Sequence, residues 1–260
     1  MNITTEKNHN RICSVFLFCC LALFSGCGLT EYYTLDAPTV ASHVPSWSTT
    51  DFSSRYFEFV TNEDGMTDYL SSSSEFVFLG TAVYYKIFNN HSTMESEDSA
   101  IDAVNTSSNY STAATKMIET YGFEELKTSA GTISPLVKAT GSNRHVYIRL
   151  TNYQSSDDYA AKITVAGTEL AVPLRMVSVD SAYCTFDFGR TSGKTDDGYY
   201  NEVPSKGEDD VTYSSSFSSD GVWYVDLYAV AVGRDTTYTT SYSLVLHLGA
   251  VPIDANNEDN

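Results

Sequence analysis

The thiol with the clearest chemistry in this sequence is Cys27. It follows two small residues, Ser25 and Gly26, at the end of an apolar run from Ile12 to Phe24 that only Ser14 interrupts. A weakly basic start (Lys7, Arg11), an apolar stretch and small residues ahead of a cleavable bond read as an export signal over residues 1–26. As a helix the run would reach roughly 20 Å, short of a hydrocarbon core of about 30 Å. A permanent membrane span is therefore not expected, and no later stretch is apolar for long enough to form one. Cys13, Cys19 and Cys20 lie inside the same signal, which leaves Cys184 as the single thiol of the body. One thiol makes no intrachain disulfide. Alternation in Tyr183-Cys184-Thr185-Phe186-Asp187-Phe188 puts Cys184 on the face of Phe186 and Phe188, the expected core side.

Other constellations fall short of a working site. Gly189-Arg190-Thr191-Ser192-Gly193-Lys194-Thr195 ends like a phosphate-binding loop, but it has three residues between its glycines where four are needed, and no helical pattern follows. His43, His91, His145 and His247 are scattered without a pair at metal spacing, so no metal is expected, and His247 is placed on the outward face of the last strand. No Gly-x-Ser-x-Gly elbow occurs; Ser71 to Ser74 and Ser214 to Ser216 read as polar runs. Asp196-Asp197-Gly198 and Glu208-Asp209-Asp210 could offer oxygens to Ca²⁺, yet neither follows the twelve-residue loop pattern, and solvated acidic turns are the commoner use. No cofactor is implied. The best claim to recognition is aromatic. Among nineteen tyrosines, Tyr147, Tyr224 and Tyr228 stand on strand faces with Arg149 and Asp226, an apolar plate with a hydroxyl rim suited to a sugar ring or a protein partner. Tyrosine also favours strands by propensity alone, so packing competes with recognition as the explanation.

Leu23-Phe24-Ser25-Gly26-Cys27 resembles the lipobox of bacterial lipoproteins, with Phe24 where Leu is more usual, a relaxation similar to that of spirochaete lipoproteins. The resemblance implies cleavage before Cys27, acylation of its thiol and amine, and membrane lipid as the partner. Two or three acyl chains suffice for stable anchoring. Gly28, which is not an Asp-type retention residue, leans by the same resemblance towards the outer membrane rather than the inner.

These residues must be positioned by elements that the pattern exposes. Residues 27–50, with Pro38, Pro45 and many Ser and Thr, read as a flexible tether, followed by a body over 51–253 and a polar tail over 254–260. Period-two alternation in Phe57 to Phe59, Val146 to Leu150 and Leu244 to Leu248 predicts half-buried strands. Further strands are expected over Phe76 to Phe88 and Val222 to Val232. A hairpin is expected from Ala161 to Leu174 around Ala166-Gly167-Thr168-Glu169. Ala114, Met117, Ile118 and Tyr121 behind Ser111, with Gly122 beyond, predict a short amphipathic helix, preceded by another around Glu97 to Val104. Gly189 to Ser219 reads as a long loop.

Phe78-Leu79-Gly80-Thr81-Ala82-Val83-Tyr84-Tyr85-Lys86-Ile87, and Val225 to Gly233 with Ser241 to Leu248, resemble the third strand and last hairpin of fibronectin type III modules. With Tyr121-Gly122-Phe123 they are also similar to spirochaete lipoproteins built on such a sandwich. The resemblance implies a mainly β fold, an antiparallel β-sandwich of fibronectin type III or immunoglobulin-like character, with a partly helical insertion over about 94–215. It transfers no active site.

Composition bounds the function. Without Lys7, Arg11 and Glu6 the chain keeps 13 basic and 32 acidic residues, a net charge of −19, which argues against nucleic acid or anionic lipid as a partner. The sequence points to a non-enzymatic, lipid-anchored surface or periplasmic module that binds protein or glycan or has an envelope-structural role. An enzyme or solute-binding component with its site in 94–215 is the second class. A pocket lined by convergent carboxylates or His would favour that second class.

Overall fold

The computed structural model describes residues 33–71, 75–129, 134–153, 159–188, 193–195, 198–215 and 221–255. The fold is mainly antiparallel β in open sheets. One sheet has five strands in the order β1 (Thr39–Val40), β2 (Phe57–Val60), β4 (His145–Arg149), β5 (Lys162–Val165) and β6 (Thr168–Ala171); β3 (Phe76–Phe88) belongs to the other. There it pairs with β7 (Val222–Asp235), which pairs with β8 (Thr240–Asp254). Along the opposite edge of β3 lie three two-residue strands: Glu124–Glu125 and Val137–Lys138, both antiparallel, and Val211–Thr212, parallel.

The alternation explains which faces meet. Phe57, Phe59, Val146, Ile148 and Ile163 of the five-stranded sheet share one apolar core with Val83, Tyr85, Ile87, Val225, Leu227 and Ala229 of the other. The opposite face of the β3–β7–β8 sheet carries a second core, where Ala82, Tyr84, Phe88, Tyr228, Val230 and Val245 meet Met94, Ile101, Ala114 and Met117. Those four come from helix α1 (His91–Asp102) and from α2 (Thr112–Thr115), which continues as a π-turn over Lys116–Thr120. β3 and β7 are thus covered on both sides, which is why their centres read as near-continuous apolar runs rather than clean alternation.

Three register shifts interrupt the ladders of this sheet, and two of them set the phase of these faces. On β3, Val232 and Gly233 of β7 oppose Gly80 and Phe78, so Leu79 is the extra residue. On β8, Leu227 and Tyr228 oppose Gly249 and His247, so Leu248 is extra; Leu248 and Val251 therefore both reach the inter-sheet core although they are three positions apart, a spacing that puts residues of a regular strand on opposite faces. Gly249 has φ +92°, and a Cβ there would sit 2.4 Å from the Pro45 carbonyl.

Several expectations are corrected. Of the tether expected over 27–50, the part from Leu35 on is held against the body instead: β1 pairs with β2, Leu35 is buried and Trp47 stacks on His91 at 4.1 Å. The stretch read as an insertion, 94–215, supplies β4, β5 and β6, three of five strands of one sheet, and is therefore part of the body rather than an addition to it. The hairpin turn is Ala166-Gly167 alone, with both φ positive, and a register shift past Ile163 leaves Leu170 exposed. Helix α1 begins at His91, six residues before the expected start. The Asn90 side chain accepts from the Ser92 and Thr93 amides and caps it. Ser111, expected as the cap of α2, has φ 69° and makes no cap bond; its Oγ instead accepts from the Tyr242 amide and donates to the Tyr242 carbonyl, tying α2 to β8. Asp254, expected in the tail, is the last residue of β8. Within the loop expected over 189–219, Val211–Thr212 joins β3.

A buried carboxylate ties the end of β2 to the segment before β4. Glu63, fully buried, accepts from the Thr140 and Gly141 amides at 2.7 and 3.0 Å and from Arg144 Nη2 at 2.7 Å. Burial alone would raise its pKa, but these donors outweigh burial and hold it below the ordinary value. The folded state therefore binds this proton less readily than the unfolded chain. The stabilisation is complete above the ordinary carboxylate range and is lost as pH falls through the lower, folded value. Thermal melts of Glu63→Gln should show about 2 kcal/mol less stability at pH 7 and a smaller further loss than the parent on going from pH 6 to pH 3. An unchanged acid slope would contradict this.

Candidate functional site

Helix α1 buries its Met94 and Ile101 against the sheet, and the positions between them on that stripe, Glu97 and Asp98, are acids. Beneath them β7 presents Asp226 and Tyr228 on the same face. The bulge in β8 brings His247 opposite Tyr228. The Asp226 side chain is fully buried, that of Asp98 is 16% exposed and that of His247 is 42% exposed.

The contacts are specific. His247 Nε2 lies 2.7 Å from Asp226 Oδ1 and 3.9 Å from Asp98 Oδ2. The Tyr228 hydroxyl donates to Asp98 Oδ1 at 2.9 Å, and its ring stacks on His247 with centroids 4.6 Å apart. Asp98, Ser99, Asp102, Asn105, Tyr228 and His247 line a cleft of about 460 Å³ that opens beside α1. Burial, reinforced by the neighbouring Asp226, raises the Asp98 carboxyl to about 8, and burial raises Glu97 to about 7. Partial burial opposes the imidazolium of His247, but Asp226 outweighs it and lifts the pKa to about 9. The cleft thus combines a cationic imidazole with carboxyl groups able to hold protons near neutrality.

The sequence placed His247 on an outward face among solvated histidines and found no metal spacing. The side chain is partly exposed, but two carboxylates face it. The helix–strand–strand convergence is spatial, so no spacing along the chain could show it. One local signal was available: two acids on the buried stripe of α1, at positions where an amphipathic helix ordinarily carries apolar residues.

The tyrosine surface does not form as one patch. Tyr147 and Arg149 lie in the five-stranded sheet, Tyr224, Asp226 and Tyr228 in the other. Arg149, Asp226 and Tyr228 are buried, and Tyr147 and Tyr224 are half-buried. Arg149 donates to the Tyr147 hydroxyl at 2.9 Å and to the Phe52 carbonyl at 2.8 Å. Its guanidinium stands 5.1 to 5.9 Å from the rings of Tyr56, Tyr147, Tyr153 and Tyr159. It is the hub of an internal aromatic cluster. Tyr224 sits edge-on to Trp47 and His91. The helical layer and the N-terminal segment cover faces that alternation alone marks as wet.

The acidic run Glu208-Asp209-Asp210 is likewise already committed. Asp210 and Arg175 are both fully buried and pair bidentately, through Nε to Oδ2 at 2.9 Å and Nη2 to Oδ1 at 2.8 Å. Glu208 also accepts from Arg175, and the Tyr85 hydroxyl donates to Asp210 Oδ2 at 2.7 Å. Cys184 is buried with Phe186 and Phe188, and burial raises its thiol pKa. Cys27, Asp196, Asp197 and most of the near-phosphate loop lie outside the described residues. Among the described residues no helix is long and apolar enough to cross a membrane.

Comparison with known proteins finds no family model, no curated relative and no solved structure that matches the chain.

Proposed function

We propose that this protein is a lipid-anchored module of a bacterial cell envelope, held through an acylated Cys27 in the outer rather than the inner membrane. Its body is a β-sandwich of fibronectin type III character that works by binding a protein or glycan. The observation that carries the anchor is Ser25-Gly26-Cys27 at the end of a thirteen-residue apolar run. Folded structure starts close behind it: Leu35 is already buried, so the intervening residues span at most about 30 Å, at roughly 3.5 Å each. The sandwich reading draws support from the two sheets' shared core and from β3, β7 and β8 lying side by side, as the third strand and last hairpin of such a module do.

The cleft beside α1 is the seat of binding in this reading. It is the place where Asp98, Asp102 and His247 converge on open space. The same convergence favours, as a second reading, a solute-binding component or an enzyme acting there, because carboxyl groups and an imidazole with displaced pKa values suit proton transfer.

The anchor has a direct test. Metabolic labelling with palmitate should mark the wild-type protein and leave Cys27→Ser unmarked, with the variant released from the membrane fraction. A Cys27→Ser protein that still takes up label would overturn the anchor.

A further inference from the structure

Asp226 is the most constrained group in the molecule's acidic seam. Its side chain has no exposure; Oδ1 accepts from His247, while Oδ2 is buried with no hydrogen-bond donor among the described residues. A carboxylate oxygen left so costs on the order of 1–3 kcal/mol or more unless something positive reaches it. The cation paired with it across the strands, Lys86, does not supply that charge: its ammonium donates to the Gly122 and Asp209 carbonyls at 2.9 and 3.0 Å. Carboxylate oxygens of Asp98 and Asp226 lie within 4.8 Å of each other, so acid faces acid.

We propose that Asp98, Asp226 and His247 hold a divalent cation, one of the Mn²⁺ or Zn²⁺ kind, with the cleft giving its remaining positions to water or an exogenous ligand. One atom from each of these residues lies within 4.8 Å of the others. An ion about 2.1 Å from two ligand atoms holds them no more than roughly 4.2 Å apart. His247 Nε2 to Asp226 Oδ1 at 2.7 Å and to Asp98 Oδ2 at 3.9 Å meet that limit, the ion displacing the proton that joins the first pair. The Tyr228 hydroxyl occupies Asp98 Oδ1 at 2.9 Å, which orients that carboxylate and leaves Oδ2 for the ion, the usual way a neighbouring donor fixes a ligand. One imidazole and two carboxylates are a mixed nitrogen–oxygen set. That set suits Mn²⁺ or Zn²⁺ rather than Ca²⁺, which takes six to eight oxygens. Asp102, which lines the same cleft, adds negative charge around the seat. Asp98 and His247 line the cleft while Asp226 is fully buried, so three protein ligands leave positions open on the cleft side, as catalytic and ligand-binding centres do and closed structural centres do not.

The inference rests on the cleft being the seat of binding and is independent of the membrane anchor. Mn²⁺ is the probe, since thiols compete for it less than for Zn²⁺. Electron paramagnetic resonance of the chelator-stripped, detergent-solubilised full chain should show saturable uptake of one Mn²⁺. Electron spin-echo modulation should show one imidazole nitrogen on that ion. His247→Gln, a change at a partly exposed side chain, should abolish the nitrogen modulation and weaken binding at least tenfold. Asp98→Asn should weaken it comparably, with thermal melts confirming that both variants fold. Uptake without nitrogen modulation identifies adventitious binding to the acidic surface and overturns the site, as does binding undiminished in His247→Gln. Absence of saturable uptake overturns it too. Cys27→Ser should bind Mn²⁺ as the parent does, which separates failure of the cation site from failure of the anchor.

Discussion

Asp210→Ala should cost roughly 3–5 kcal/mol of folding stability, because it removes one partner of a fully buried ion pair and leaves the Arg175 guanidinium without its bidentate acceptor. The loss spreads beyond the pair: the Tyr85 hydroxyl, which accepts from the Met176 amide at 2.6 Å, gives up the acceptor that orients it. Glu208 remains, but it reaches Arg175 from the rim, with a side chain 20% exposed, and offers no second bidentate face. Natural domains are stable by about 5–15 kcal/mol, so a loss of this size places the variant near the edge of folding. Urea denaturation measures it, with a cost under 1 kcal/mol as the contradicting result. The double variant Arg175→Met with Asp210→Leu removes both charges and fills their volume. It should recover most of the loss, since the cost is an orphaned charge rather than a missing attraction. The physical role of the pair is to fasten the segment after β6 and the strand Val211–Thr212 onto β3.

The second large effect is expected at Gly80. A Cβ there would lie 2.1 Å from the Val137 carbonyl and 2.7 Å from the Ala139 amide, both backbone atoms, and φ is +132°, a region that side chains rarely adopt. Neither contact can rotate away. Gly80→Ala should therefore cost roughly 3–5 kcal/mol, combining backbone strain with overpacking. The damage should localise: the pairing of Val137–Lys138 with β3 and the bulge opposite Val232–Gly233 should loosen first. Hydrogen exchange at the Ala139 amide, which donates to the Leu79 carbonyl at 2.9 Å, reports this directly. Protection unchanged from the parent, together with an unshifted denaturation midpoint, would contradict it.

Much of the strand content was legible because it is local. Phe76–Phe88 emerges with the bounds its composition suggests, and β7 begins where expected but runs three residues further. Gly122 ends α2 with φ +66°, as a helix-terminating glycine should. The placement of Cys184, Phe186 and Phe188 in the core also follows from alternation. The errors share one cause. Period-two alternation tells which residues share a face, but not what covers it. The tyrosine face of β7 was read as half wet, whereas α1 and α2 lie over it and bury Asp226 and Tyr228. The bulge at Leu248–Gly249 shifts phase within β8, which no count along the chain reveals, because its reason is the close approach of Pro45 from the far end of the sequence.

By itself, then, the sequence determined the mainly β character, the long strands β3 and β7, the middle of β8, a single body thiol, an acidic balance and the grounds for proposing an anchor at Cys27. These depend on neighbours along the chain: side-chain volume, charge count and the order of residues in short stretches. Tertiary structure alone decided the rest. It turned Arg149 and Arg175 into interior charges, split the tyrosines between two sheets and brought Asp98, Asp226 and His247 within ligand distance of one another. Those residues come from a helix and two strands separated by more than a hundred positions. Only the packing of α1 onto the β7–β8 pair, fixed in phase by one bulge, makes them neighbours.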